Sequence, residues 1–192
     1  VLLFFSNCQK DAEVPSKDYS FVITNSPRVN SEGVEFSADL TGLGKYKILK
    51  YGFVWSSESG PTIQDSKKLF DDNASKGTYS YYLKSGLVKG KTYYVRAYIL
   101  TDHYEIYGNE QSFSSQGSLP PVIKNFEPKY GSIGTKVIIE GENFAFSKSG
   151  NVVKFGNIIA DIDSFSENMI SVTIPEIQKT EKVPISIEAA GL

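Results

Sequence analysis

His103 is the side chain best suited to proton transfer or metal binding, because it is the only histidine of the 192-residue chain and has acidic neighbours. Asp102 precedes it and Glu105 follows at close range, which would suit a proton relay or a set of metal ligands. The surrounding sequence, TDHYEIYG, is typical of a hairpin tip, where polar side chains are usually solvated. With one cysteine and no second histidine, the chain cannot complete a zinc set. We therefore expect His103 to be a solvated surface residue.

The segment DDNASKG is the other candidate for metal binding. It carries oxygen-bearing side chains at alternate positions, as a calcium loop does: Asp71, Asn73 and Ser75. Its glycine, Gly77, falls one place late, and Tyr82 stands where such a loop has a bidentate glutamate. It is therefore predicted to be a turn, and GENFAFSKSGN likewise indicates a polar loop. The sequence shows no G-x-S-x-G elbow, P-loop or dinucleotide fingerprint, so we expect neither catalysis nor a cofactor.

Tyrosine is the residue type that most suggests ligand binding, because the chain has twelve and they cluster on neighbouring predicted strands. If Tyr93 faces the core, alternation along KTYYVRAYIL turns the next set of side chains outward. A row of flat rings there could stack on the apolar faces of sugars. The alternatives are cross-strand pairing that stiffens the sheet, or burial against the next domain. The predicted ligand face comprises Tyr94, Arg96, Tyr98 and Trp55.

Short strand-like runs separated by turn signals must position these residues. The runs cover residues 19–24, 33–44, 50–57, 77–87, 91–100 and 106–113. Residues 58–74 are predicted to be an irregular connection with a short edge strand at 68–70. No segment has a convincing helical period. The pattern therefore predicts an all-β fold class, built as a β-sandwich.

The sequence LVKGKTYYVRA resembles the corner between strands E and F of fibronectin type III domains. Leu87 precedes the turn, and Tyr93 stands six residues later, where the family's tyrosine returns its hydroxyl to the corner backbone. Lys89 occupies a position where the family often has proline. The runs YGFVWS, YYVRAY and YGNEQSF are also similar to fibronectin-like modules of bacterial surface proteins. The resemblance implies a fibronectin type III-like sandwich over residues 18–115.

A second domain is predicted after the small-residue and proline-rich sequence SSQGSLPPV, with residues 116–120 as the linker. Residues 121–192 resemble an IPT/TIG domain in a series of ordered pieces: PVI, FEPKYG, GTKVIIEGENF, VVKFG and ISVTIP. The resemblance implies a second immunoglobulin-like sandwich in tandem with the first. In that family one more strand follows the glycine at Gly191, so we expect the domain to be truncated before its last strand.

The N-terminus predicts a lipid anchor. Residues 1–5 are a purely apolar run that is too short for a membrane span, and residues 1–7 fit the remnant of a lipoprotein signal peptide. The sequence FSNC resembles a bacterial lipobox, which implies lipidation of Cys8 and a flexible tether over residues 8–17. Buried acyl chains contribute about 0.8 kcal/mol per methylene, so several chains make a durable anchor. The alternative is a frayed terminus with a free thiol. The residues after the cysteine resemble the surface-export signal of lipoproteins from glycan-foraging Gram-negative bacteria: Gln9, Lys10 and Asp11.

Charge and anchor together define the expected function class. The chain has 20 basic and 22 acidic residues, a balance that offers no basic footprint for nucleic acid. We expect a non-catalytic lipoprotein at the outer membrane, facing the cell exterior, whose immunoglobulin-like modules bind or present. The resemblance implies glycan capture or uptake, with polysaccharide and an outer-membrane transporter complex as partners. The alternative is a structural stalk or adhesin that displays a C-terminal domain absent from this chain.

Overall fold

The computed structural model describes residues 19–178 and 182–191. The predicted lipidation and export residues lie outside the described residues: Cys8, Gln9, Lys10 and Asp11. Within the described residues, no helix is both long enough and apolar enough to cross a membrane. The ordered elements are strands, apart from one short 3-10 helix.

The first sandwich follows from the predicted strand runs. Its strands are β1 Phe21–Thr24, β2 Arg28–Asn30, β3 Gly33–Gly42, β4 Ile48–Ser56, β5 Ser66–Phe70, β6 Gly77–Leu83, β7 Thr92–Thr101, β8 Glu105–Tyr107 and β9 Gln111–Ser114. In one sheet, β3 pairs with β1, β2 and β6, and in the other the order is β5-β4-β7, with β8 and β9 on the far side of β7. All of these pairings are antiparallel.

The second sandwich contains the remaining elements. They are β10 Val122–Glu127, β11 Lys136–Glu142, the 3-10 helix η1 Lys148–Gly150, β12 Asn151–Phe155, β13 Ile158–Ala160, β14 Ile162–Phe165, β15 Met169–Thr173 and β16 Ile185–Ala189. They form two antiparallel sheets, β10-β11-β15-β14 and β13-β12-β16. The predicted all-β class with tandem sandwiches is confirmed.

Each sandwich has its own hydrophobic core. Alternation along β3 turns Phe36 inward, and its ring lies 5.6–5.7 Å from three other aromatic rings, those of Phe53, Trp55 and Phe113. In the second sandwich, Phe144 is fully buried beside the inward residues of β11 and β12. The two clusters share no buried residue, so each sandwich is stabilised mainly by its own apolar burial.

Tyr93 forms the predicted corner contact. Its side chain faces the first core, with 8% exposure, and its hydroxyl accepts a hydrogen bond of 3.1 Å from the Val88 N–H. This hydrogen bond gives the Val88 N–H a partner and holds the turn in place. The turn has Lys89 at the position where a proline would make it stiffer. The next residues on the same face, beginning with Val95, are also buried.

The predicted strand at 106–113 is wrong in detail, because the structure divides it into β8 and β9. The break occurs at Gly108, whose N–H donates to the carbonyl of Ala97. Asn109 then exchanges hydrogen bonds with the backbone of Thr24, its oxygen accepting and its amide donating. The bonds of Asn109 to Thr24, a residue of β1, take the place of regular pairing with β7 between β8 and β9. The edge strand predicted at 68–70 is confirmed as part of β5.

The predicted linker is attached to the first sandwich by hydrogen bonds. The Leu119 N–H donates to the Lys84 carbonyl at 2.9 Å, and the Leu87 N–H donates to the Ser118 hydroxyl at 3.2 Å. Just before the linker, the Ser115 N–H donates to the Lys91 carbonyl. The small residues predicted as a joint therefore lie along the first sandwich and bond to its loops.

Candidate functional site

The outward face of β7 retains part of the predicted ligand surface at Tyr94. This residue is half-buried and pairs across the sheet with Ser56 of β4 on one side and Ser112 of β9 on the other. Both neighbours are small, so no large cross-strand side chain competes with the tyrosine ring for its surface. An aromatic ring that lies between small residues on the face of a sheet is suited to stacking against an apolar ring face.

Arg96 follows on the same face of β7 and is held in place through one edge of its guanidinium. Its Nε donates to the Gly108 carbonyl at 3.1 Å, and the guanidinium carbon lies 4.6 Å from the ring centroid of Tyr107. No described carboxylate forms an ion pair with it, and its terminal Nη1 and Nη2 groups donate to no other described residue. A guanidinium positioned in this way can donate several hydrogen bonds to a ligand.

Tyr98 does not belong to an exposed row, which corrects the prediction. Its side chain is 1% exposed, and its ring lies 5.2 Å from that of Tyr107. The reason is that residues 58–65 cross this part of the sheet: Pro61 is buried, and the Ile63 N–H donates to the Tyr107 hydroxyl. Burial and the Glu105 carboxylate raise the pKa of Tyr98 to about 12.

The first residues of this covering segment, Ser59 and Gly60, are bonded to Glu110, which lies between β8 and β9. Its carboxylate accepts from the Ser59 hydroxyl at 2.9 Å and from the Gly60 N–H at 2.5 Å. The covering segment is thus attached at both Glu110 and Tyr107. It also explains why Val54, which points outward from β4, is fully buried.

Trp55 is also corrected, since it lies in the core instead of on the ligand face. In the register of the sheet it pairs with Val95, an inward residue, so both side chains share the core face. Trp55 is 4% exposed and contacts the ring of Phe36. Its sequence neighbours Phe53 and Val54 are also apolar, so alternation alone gives no signal for the face on which Trp55 lies.

The outer edge of Trp55 meets the second sandwich. The ring of Phe146, from the loop after β11, lies 5.1 Å from that of Trp55 and 6.5 Å from that of Tyr81. Near this contact, the α carbon of Ala145 approaches Gly86 so closely that an added Cβ would lie 3.3 Å away. Trp55 is therefore covered partly by its own core and partly by the second sandwich.

A polar cluster borders this aromatic contact. The Tyr81 hydroxyl donates to Oε1 of Glu167 at 3.1 Å, and Nζ of Lys68 lies 3.7 Å from Oε2 of the same carboxylate. Lys68 Nζ also lies 5.4 Å from the centroid of the Tyr81 ring. Burial and the Glu167 carboxylate raise the pKa of Tyr81 well above its ordinary value, so the hydroxyl stays protonated and donates. Tyr81 and Lys68 belong to the first sandwich and Glu167 to the second, so the cluster joins the two.

A cleft of about 1800 Å³ opens between the sandwiches next to this contact. Ser56, the cross-strand neighbour of Tyr94, is part of its lining, so the outward face of β7 and the cleft adjoin. Lysine side chains from both sandwiches also line the cleft.

The residues first considered for chemistry lie apart from both surfaces. His103 is at a turn, with Nδ1 at 2.9 Å from Asp102 Oδ1 and its ring 3.9 Å from that of Tyr46. In the part of the chain that the structure describes, no group of three or more histidine, cysteine, aspartate or glutamate side chains is arranged to hold a metal ion.

Comparison with known families identifies the second sandwich. Residues 121–191 match the IPT/TIG domain family. They form an IPT/TIG domain. The resemblance predicted from the motifs is thereby confirmed for this part of the chain. A fibronectin type III-like origin of the first sandwich stays a prediction.

Two individual proteins are similar to the chain that carries this IPT/TIG domain. It is 32% identical over 104 residues to cyclomaltodextrin glucanotransferase from Geobacillus stearothermophilus, a match that covers 53% of this chain and 14% of that protein. Among solved structures, it is similar to SGBP-B from a complex xyloglucan utilization locus in Bacteroides uniformis. That similarity has a TM-score of 0.35 and 17% identity, and covers 89% of this chain and 45% of the other. The chain thus spans less than half the length of either protein.

The IPT/TIG domain contributes the junction residues that sequence reasoning missed. Phe146 lies in GENFAFSKSGN, which was predicted only as a polar loop, and Glu167 lies in the turn between β14 and β15. An aromatic residue within a polar loop is the one signal that could have identified Phe146. Its partners, Trp55 and Tyr81, are 91 and 65 residues away, and local patterns carry no information on such contacts.

Proposed function

We propose that the chain is a non-catalytic glycan-binding module in which Tyr94 stacks on a sugar ring and Arg96 donates to its hydroxyl groups. The half-buried Tyr94 ring between Ser56 and Ser112 is the observation that carries this proposal. Sugar rings have apolar C–H faces and polar edges, so they need one flat ring and one directional donor close by. Tyr94 and Arg96 lie two residues apart on one face of β7 and supply that pair.

Affinity electrophoresis against a panel of neutral and acidic polysaccharides tests the proposal. The wild-type chain is expected to be retarded by at least one polymer, and Tyr94→Ala is expected to weaken that binding by about tenfold, as for a central aromatic contact. Tyr130→Ala is the matched control, because Tyr130 is 90% exposed in the IPT/TIG domain and far along the chain from β7. Retardation by no polymer, or equal effects of the two variants, would count against glycan binding.

We also propose that Cys8 is lipidated and holds the sandwiches at the outer membrane, facing outward, where a transporter complex could receive captured polysaccharide. The apolar run before the cysteine and the charged residues after it support this placement. Metabolic labelling with a palmitate analogue is expected to mark the wild-type protein in cells, whereas Cys8→Ala should abolish the label. A label that persists in Cys8→Ala, or none on the wild type, would refute the anchor.

A structural stalk is the second candidate, and the junction between the sandwiches favours it. The Phe146 contact and the Tyr81–Glu167 hydrogen bond restrain their relative orientation, as a spacer requires. The electrophoresis experiment separates the two functions, since a spacer is expected to migrate equally with and without every polysaccharide. Such a spacer could also display an adhesin domain.

A further inference from the structure

We infer that the cleft between the two sandwiches binds carboxylate or sulfate groups of an acidic polysaccharide. This inference rests on the proposed function and assigns a ligand class to it. The cleft adjoins Tyr94 through Ser56, so one polymer can contact the outward face of β7 and continue into the cleft. Its volume exceeds the range of about 300–1,000 Å³ that small-molecule pockets occupy, which suits several sugar units.

The acidic residues of the cleft already have partners. Glu142 is paired with Lys124 and Glu188 with Lys154, and neither of these lysines lines the cleft. Glu167 is engaged by Tyr81 and Lys68, as described above. The fourth acid, Asp65, accepts hydrogen bonds from the backbone and hydroxyl of Thr62. Lysines therefore compensate the negative charge of three of the four acidic residues, and Asp65 keeps its charge.

Four lysines of the lining form no ion pair with a described carboxylate. One of them, Lys67, donates to the Ile63 carbonyl at 2.7 Å. Lys84, Lys91 and Lys148 are exposed, and no described carboxylate forms an ion pair with any of them. Nζ of Lys84 lies 5.6 Å from the ring centroid of Tyr82, and Nζ of Lys91 lies 5.9 Å from that of Tyr93. These cation–π contacts attract the ammonium groups to the rings but leave their positive charge in place.

The local charge of the cleft is thus opposite in sign to that of the chain, whose formal net charge is −2. Uncompensated cations grouped in a concave surface concentrate the field and attract anions. The lysine ammonium is a point charge on a flexible side chain. It can follow irregularly spaced charged groups of a flexible polymer better than the rigid, planar guanidinium of arginine. The acidic polymer is therefore the class of glycan that this cleft favours.

Binding of the full chain to three polymers tests the inference: neutral dextran, dextran sulfate and polygalacturonate. The variant Lys84→Gln/Lys91→Gln/Lys148→Gln is compared with Lys47→Gln/Lys50→Gln/Lys76→Gln, which removes the same charge from exposed lysines outside the cleft. The cleft variant is expected to bind the acidic polymers about tenfold more weakly, because exposed charge pairs contribute modestly but add up. The control is expected to change by less than about twofold.

The outcomes separate this inference from the proposed function. The inference is supported if the wild-type chain prefers an acidic polymer to dextran, and if this preference is lost in the cleft variant and weakened by salt. Which of the two acidic polymers binds more tightly tells whether sulfate or carboxylate is the preferred group. The inference fails and the proposed function stands if a polysaccharide of the wider panel binds in a Tyr94-dependent way but the acidic polymers bind no more tightly than dextran. The same conclusion follows if Tyr94-dependent binding is seen and both lysine variants weaken binding equally. If no polysaccharide, neutral or acidic, binds the wild-type chain, both fail.

Discussion

Replacing Trp55 with alanine is expected to lower the free energy of unfolding of the first sandwich by about 3–5 kcal/mol. The side chain is 4% exposed and packs on Phe36, Tyr81 and Phe146, so its removal leaves a cavity in the core and at the junction. Chemical denaturation followed by circular dichroism and by amide NMR signals measures the change in each sandwich separately. The IPT/TIG transition is expected to change much less.

Trp55→Phe and Tyr130→Ala are the controls for this experiment. The phenylalanine keeps an aromatic ring in the core and should retain most of the stability, whereas loss of an exposed tyrosine should change it by less than about 0.5 kcal/mol. An unchanged unfolding curve for Trp55→Ala, combined with lost glycan binding, would show that the indole contacts ligand and that its burial here is wrong.

Replacing Gly141 with alanine is expected to destabilise the IPT/TIG domain by about 2–3 kcal/mol through overpacking. An added Cβ would lie 2.1 Å from the carbonyl oxygen of Val122 and 2.4 Å from the ring of Phe144. The carbonyl belongs to the paired strand β10 and the ring is fully buried, so neither can move without disturbing the sheet or the core. Thermal unfolding monitored by NMR signals of the IPT/TIG domain measures the effect.

Gly42→Ala is the matched control for that substitution, because the added methyl group in β3 would meet nothing closer than 3.5 Å. Its effect is expected to lie within about 0.5 kcal/mol of wild type. If Gly141→Ala proves equally neutral, the tight approach of β10, β11 and Phe144 is incorrect. The first sandwich should retain its own transition in the Gly141→Ala variant, since its core is separate.

Regular alternation made the fold predictable where one face of a strand meets a core. In β3, Val34, Phe36, Ala38 and Leu40 alternate with polar residues, and all four are buried. The contact of Tyr93 at the corner was predictable because it depends on the short spacing between Leu87 and Tyr93, which is visible in the local sequence. The IPT/TIG motifs are also local, each consisting of a strand with its turn.

The candidate site was less predictable, because it depends on register and on distant segments. Side-chain alternation along β7 predicted that Tyr94 and Arg96 point outward, but it could not show that residues 58–65 fold over Tyr98. Nor could it assign the face of Trp55, whose apolar neighbours give no alternation. The covering segment is polar and irregular in sequence, and its position depends on bonds to Glu110 and Tyr107.

The contact of Phe146 with Trp55, together with the bond from Tyr81 to Glu167, also has an entropic effect on association. Two freely jointed domains lose orientational freedom when one ligand spans both, and this loss weakens binding. Sandwiches already held at one angle avoid most of it, and the second contact forms at a high effective concentration. A fixed separation also selects by length, favouring polymers that are long enough to reach from the Tyr94 ring to the lysines of the cleft.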